Sequence, residues 1–313
     1  MATRHLFCFG LGYTARALAS ALDPEAWKVS ATYRTKEQAE EMKALGIQPI
    51  PFDDVFAGEV TGAYFLSSVP PREEGDPVLD RYSELLQDAE PAWIGYLSTT
   101  GVYGDTQGRT VDEAAPLKPT VPRSWRRAEA ETAWMTLHRD FELPVHIFRL
   151  AGIYGPGRST IDNVRDGTAR RIDKPGFAFS RIHVDDIVQV LDASMEHPNP
   201  GTIYNVCDDE AAEQKDVVSY ACQLLKVTPP AEIPFDEAVK DMSDMAKTFW
   251  QDNRRIDNTR IKDDLAVRLK YPTYREGLRG VLDAESQAEK SAQDSATALS
   301  DRVAKGIAEL QDA

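Results

Sequence analysis

The chain has 313 residues, 42% of them hydrophobic, which is enough apolar side chain for one large domain or two lobes sharing a core. A formal net charge of −15 argues against a duplex phosphate backbone or an anionic membrane as partner, while leaving room for one basic pocket that takes a phosphorylated ligand. Cys8, Cys207 and Cys222 are too few and too scattered for a disulfide framework or a zinc site, no signal-peptide layout precedes "HLFCFGLG", and no apolar run nears the ~18 residues of a bilayer span, so a cytoplasmic protein is expected.

In chain order, "HLFCFG" is a nearly continuous apolar run that ends in glycine and reads as a buried parallel strand. "YTARALASAL" follows with helical spacing. Between them "GLGYTA" sets Gly10, Gly12 and Ala15 in a G-x-G-x-x-A pattern. The first glycine permits a tight turn, the second lets backbone approach a pyrophosphate, and the small third residue lets helix and strand pack closely. The helix start, at Tyr13 and Thr14, offers free N–H groups to phosphate oxygens. A structural turn with no ligand is the competing reading, and the position between an apolar strand and a helix favours dinucleotide binding.

"KVSATYR" reads as a second strand and "TKEQAEEMKALG" as a charged helix stopping at Gly46. A carboxylate at the end of the second strand would bind the ribose hydroxyls of NAD and repel a 2′-phosphate. This chain has Arg34 and Thr35 there, a planar fork of donors and a hydroxyl, so NADP is favoured over NAD. A solvated loop arginine is the alternative. "IQPIPF" is a third strand, followed by Asp53, which either meets the adenine amino group or caps a turn. "GAYFLSSVP" is a fourth strand, ending in Ser67 and Ser68, expected to face the middle of the cofactor. "WIGYLSTTGVYG" is a fifth, "VHIFRLAGIYG" a sixth, and "TIYNV" a later short one. Strands alternating with helices predict an α/β fold, a Rossmann-type doubly wound parallel sheet.

After about Asp208 the strand signals thin out and prolines gather, as in "TPPAEIPF", which reads as a smaller lobe. The expected organisation is a nucleotide-binding core over 1–152 with 182–207, a C-terminal substrate lobe over 153–181 with 208–282, and an amphipathic helix over 283–313. That last helix is either solvated or docks on a partner. "HVDD" places His183, Asp185 and Asp186 together, but the spacing fits no common metal signature; a helix cap at Asp185 or Asp186 is preferred and no metal is expected.

The ordered pieces "GLGYTA", "YLSTTGVYGD", "FRLAGIYGPGR", "RIHVDDIVQVL" and "IYNVCDDE" resemble the extended and atypical short-chain dehydrogenase/reductases, the NAD-dependent epimerase/dehydratase-like group. The likeness runs to about residue 282. The late "NRRIDNTRIKDDL" and "YPTYREGL" resemble an atypical branch. The resemblance implies a catalytic hydroxyl at Thr99, four before Tyr103, and "AGIYGPGR" near nicotinamide and substrate. It also implies a small-molecule substrate and a homodimer.

In that family a helix reads Y-x-x-x-K-x-x-x-E. In "PTVPRSWRRAEAETAW", aligning the glutamate with Glu131 puts Arg127 at the lysine and Arg123 at the tyrosine; aligning it with Glu129 gives Trp125 and Val121. Neither register restores the pair. Arginine keeps its proton at any relevant pH, so Arg123 can stabilise an alkoxide but shuttles protons poorly, while Arg127 can still hold the ribose or a substrate phosphate. Three readings follow. One is a reductase or epimerase-like enzyme whose acid is Tyr103, Tyr154, His183 or water. Another is an NADP(H)-binding regulatory or sensor protein without turnover. The third is a substrate-assisted enzyme whose anionic, sugar-like substrate meets Arg123, Arg126 and Arg127. Solvated helix arginines are the bland alternative for that cluster.

Overall fold

The computed structural model describes residues 3–290. Seven strands form one wholly parallel sheet: β1 (Arg4–Phe9), β2 (Trp27–Tyr33), β3 (Gln48–Pro51), β4 (Tyr64–Ser67), β5 (Trp93–Thr99), β7 (Val145–Leu150) and β12 (Ile203–Val206). Their spatial order is β12-β7-β5-β4-β1-β2-β3. Winding therefore reverses between β1 and β4, whose carboxyl ends open a crevice at the sheet edge.

The continuous apolar runs are explained by burial on both faces. In β1, Leu6 and Cys8 point into one core and Phe7 and Phe9 into the other. β7 splits the same way, Phe148 and Leu150 against Val145 and Ile147. The first core is closed by α1 (Tyr13–Ala21), α2 (Lys36–Ala44) and α6 (Val184–Glu196), the second by α3 (Pro77–Asp88) and α4 (Pro122–Phe141). Each fully buried Leu or Phe contributes about 1.5–3 kcal/mol.

Local signals set the helix ends. Thr35 caps α2 and its Oγ1 accepts from the Gln38 N–H, while Gln38 Oε1 accepts from the Thr35 N–H. Gly46, at φ +72°, closes that helix: its N–H bonds Lys43 O and the Ile47 N–H bonds Met42 O. The cap of α6 is His183 rather than Asp185 or Asp186: its Nδ1 accepts from the Asp185 N–H at 3.1 Å. Asp186 instead accepts from the backbone N–H groups of Lys270 and Tyr271, at 2.6 and 3.1 Å.

Short strands build the material over the carboxyl edge. β8 (Gly152–Tyr154) pairs with β11 (Arg181–His183), β9 (Arg171–Asp173) with β14 (Glu232–Pro234), β10 (Ala178–Phe179) with β13 (Ala212–Glu213), and β6 (Thr110–Val111) with β15 (Arg255–Ile256). Helices α5 (Thr160–Arg165), α7 (Gln214–Leu225), α8 (Phe235–Ala238), α9 (Asp244–Phe249), α10 (Thr259–Leu265) and α11 (residues 274–290) complete it. Of the helix expected over 283–313, only 283–290 falls among the described residues and is helical; 291–313 lies outside them. Among the described residues, no helix is long and apolar enough to cross a membrane and no cluster of His, Cys, Asp and Glu fits a metal ion.

Candidate active site

The glycine turn leaves β1 at Gly10, whose φ of +76° favours glycine and where a Cβ would press on Ser68 Oγ and Val69 Cγ2 at 3.3 Å. Its N–H donates to Thr32 Oγ1 at 2.8 Å, and its carbonyl accepts from Ser68 Oγ at 3.0 Å. The turn is thus pinned by β2 on one side and the end of β4 on the other. Gly12 begins α1 with no side-chain cap, so the first N–H groups of that helix, from Tyr13 and Thr14 on, have no intrahelical partner. A Cβ at Gly12 would meet only Ser68 Oγ, at 3.8 Å, so the protein itself leaves this face open. A cavity of about 270 Å³ opens here, lined by Gly10, Gly12, Thr32, Arg34, Phe52 and Ser68 among others.

Arg34 is exposed at the rim of that cavity, and its side chain has no partner among the described residues. Thr35 spends its hydroxyl on capping α2 and does not line the cavity. Asp53 also lies off the lining: its carboxylate sits 3.4 Å from Arg81 Nε, and its carbonyl accepts from Arg81 Nη2 at 2.8 Å. Ser67 is buried with a free hydroxyl. Tyr13 reaches away from the turn, its hydroxyl donating to Pro156 O at 3.0 Å and its ring lying under Arg158.

A second cleft, about 930 Å³, lies between the carboxyl ends of β5 and β7 and the material above them. Thr99 lines it, with Oγ1 accepting from the Gly101 N–H at 3.1 Å at the start of a 3₁₀ turn. Arg158, Arg181 and Arg254 line it as well. Arg254 is paired with Asp252 at 3.0 Å. Arg181 has no carboxylate within ion-pair distance among the described residues; its Nη1 donates to the carbonyls of Phe179 and Ala212 at 2.7 and 3.0 Å. Protein surrounds this guanidinium and desolvation lowers its pKa. Close behind it, burial lifts the Asp208 carboxyl to about 8.

The α4 frame is arranged around arginines. Arg127 Nη1 donates to the Leu97 carbonyl at 2.6 Å and to Tyr96 Oη at 3.2 Å, at the carboxyl end of β5. One turn earlier Arg123 lies over the ring of Phe249, 4.1 Å from its centroid, and Phe249 lines the cleft. Glu131 is buried and accepts from Arg149 through both oxygens, and from Ser98 Oγ. Tyr103 belongs to the same network: its hydroxyl donates to Asn205 Oδ1 at 2.7 Å and accepts from Arg149 Nη1 at 2.8 Å. Desolvation pushes this phenol up to about 12. Tyr154 lines the cleft, but its hydroxyl is turned against Gly277, where a Cβ would lie 1.8 Å away. Burial brings His183 down to about 4, so its ring is neutral and caps α6.

Residues 83–207, from α3 through β5, α4 and β7 to the end of β12, match the model of the NAD dependent epimerase/dehydratase family. These 125 of the 313 residues carry the likeness to that family. The chain is 46% identical to a conserved protein of unknown function from Silicibacter pomeroyi DSS, whose structure matches with a TM-score of 0.84 over 90% of this chain and 99% of that one. Protein YeeZ of Escherichia coli (strain K12) is 26% identical over 280 residues, 84% of this chain and 94% of YeeZ. The fold is also shared with dTDP-glucose 4,6-dehydratase from Bacillus anthracis str. Ames, solved in complex with NAD, at 18% identity and a TM-score of 0.70 over 92% of this chain and 98% of that one.

Several residues that line the two cavities are not singled out by the sequence patterns. Arg16 and Arg72 line the glycine-turn cavity, and Arg181 and Arg254 line the larger cleft. Arg16 was legible in principle, one helical turn beyond Gly12 on the first helix after the fingerprint. Arg181 stands directly before "IHVDD". Arg72 and Arg254 sit in irregular segments whose direction no periodicity reports.

Proposed function

We propose that the chain binds NADP(H) at the glycine turn and acts as an oxidoreductase or epimerase-like enzyme on a small anionic, nucleotide-sugar-like substrate. The observation that carries this is the pinned Gly10 turn beside an uncapped α1, with the unpaired Arg34 on the rim of the same cavity. Those residues fit a dinucleotide: free N–H groups for the pyrophosphate, an open face at Gly12 and a guanidinium for a 2′-phosphate. The residues assigned to the cofactor are Gly10, Gly12, Tyr13, Thr14, Arg34, Ser67, Ser68 and Arg127, with Thr35 supporting Arg34 through the α2 cap and Asp53 placing the loop after β3. When bound, the nicotinamide supplies a two-electron acceptor or donor. The core over 1–152 with 182–207 holds it, and 153–181 with 208–282 grips the substrate.

In the cleft, the Thr99 hydroxyl orients the substrate oxygen. Arg123 and Arg181 offer positive charge to an anionic substrate, and Arg127 holds the wall of β5. Tyr103 braces that wall through Arg149 and Asn205. Proton transfer then falls to substrate or water, because neither α4 arginine serves as an acid/base near neutral pH. A second reading, an NADP(H)-binding protein without turnover, is favoured by one fact: Arg127 is engaged by a main-chain carbonyl and Arg123 by Phe249.

Calorimetry with NADPH and NADH on wild type and Arg34→Glu tests the cofactor assignment. We expect NADPH to weaken by at least roughly tenfold while NADH changes little; equal loss for both would remove the role given to Arg34. Incubation with NADPH and aldehydes, ketones and nucleotide sugars, with product analysis, separates the readings, since tight binding without any product favours the sensor.

A further inference from the structure

Three guanidinium groups from three different elements surround the glycine-turn cavity. Arg16 comes from α1, Arg34 follows β2, and Arg72 lies in the loop after β4. Arg34 and Arg72 have no side-chain partner among the described residues. Arg16 has one: its Nη2 lies 2.9 Å from Oε2 of Glu41, a carboxylate of α2 that lines the same cavity. In a chain with 51 acidic and 36 basic residues, three arginines against one glutamate invert the local charge.

We infer that Arg16 and Arg72 complete, with Arg34, a clamp for the phosphoryl group on the cofactor's adenosine ribose, and that Glu41 restrains this clamp until the phosphoryl group arrives. The inference rests on the NADP(H) reading above. The excess of two positive charges matches a phosphate monoester, which carries about −1.5 to −2 near neutral pH. Each guanidinium presents a planar fork suited to phosphate oxygens. The Arg16–Glu41 pair is half-exposed, at 46% and 59% side-chain exposure, so it is weak and exchangeable. A dianion reaching Arg16 meets the same fork with more charge than Glu41 brings. NAD has no such group, so Glu41 keeps Arg16. Glu41 also repels the incoming phosphate, and thereby limits the preference that the three arginines create.

The test uses calorimetry on the full chain with NADPH and NADH, and with 2′,5′-ADP and 5′-AMP to isolate the ribose phosphate. Arg16→Ala and Arg72→Ala should each weaken NADPH and 2′,5′-ADP by roughly tenfold and leave NADH and 5′-AMP within about twofold. Glu41→Gln should tighten NADPH by about threefold or more and leave NADH unchanged. All three residues are exposed, and melting curves check that the variants fold. Equal weakening of both dinucleotides by Arg72→Ala and Arg16→Ala would overturn the clamp and move those arginines to the pyrophosphate. Unaltered NADPH affinity in Glu41→Gln would overturn the restraint. Failure of wild type to bind any of the four ligands would remove the underlying cofactor reading, a result distinct from both.

Discussion

His146 shows how one buried side chain ties stability to pH. The ring is fully buried between β5 and the turn before β12. Its Nε2 accepts from the Asn199 N–H at 3.0 Å, which leaves the proton on Nδ1, 3.2 Å from the Ile94 carbonyl it donates to. A second proton would face an N–H group. Desolvation accordingly brings the pKa down to about 4, against about 6.5 in an unfolded chain. The unfolded state therefore binds more protons between those values. Stability from this group is complete above pH ~6.5 and is lost as pH falls through 4, on the order of 3 kcal/mol in all. Urea unfolding at several pH values should show this acid limb flattened in His146→Gln; an identical pH dependence would contradict the assignment. Arg149 and Glu131 make the contrasting case. Both are buried and mutually bonded, so each is compatible with the interior only while the other is present.

At the scale of elements, the 3₁₀ turn after β5 decides where Thr99 sits. Thr99 opens the turn and Gly104 ends it at φ +67°, ψ −152°, a conformation that glycine alone adopts readily. A Cβ at Gly104 would lie 1.8 Å from the Lys118 carbonyl. Gly104→Ala should cost roughly 3 kcal/mol or more and displace Thr99 from the cleft. Gly58→Ala, with open space around the added methyl, is the matched control. Denaturant midpoints of the two variants should separate clearly, and coincident midpoints would sink the account. The seven strands of the parallel sheet and helices α1 and α2 were legible in sequence because the double-faced sheet needs unbroken apolar runs and the surface helices need a 3.6-residue period, whereas the two- and three-residue strands over the carboxyl edge are too short to carry a period. α6 shows the limit. Its boundary was visible, yet its cap is His183, and Asp186 is spent on Lys270 and Tyr271, more than eighty residues away.

Across the whole molecule, the material over the carboxyl edge has no continuous sequence of its own. β6 pairs with β15 and β8 with β11, so segments before residue 155 are stitched to segments after 180. Such interleaving couples the upper part to the sheet. Scanning calorimetry on the full chain should give one endotherm with a van't Hoff to calorimetric ratio near one, and two resolved transitions would contradict that coupling.

The sequence by itself determined the parallel sheet, the glycine turn and the absence of any tyrosine or lysine from α4, because these depend on local period, backbone conformation and residue identity. Only the tertiary structure decided what each polar side chain does. Tyr103 lies four residues beyond Thr99 in the same motif, yet it bonds Arg149 and Asn205 inside the protein while Thr99 faces the cleft. Arg16, Arg34 and Arg72 are far apart in the chain and meet at one cavity. A side chain's partner is set by which distant backbone the fold brings within about 3 Å, and no local pattern carries that distance.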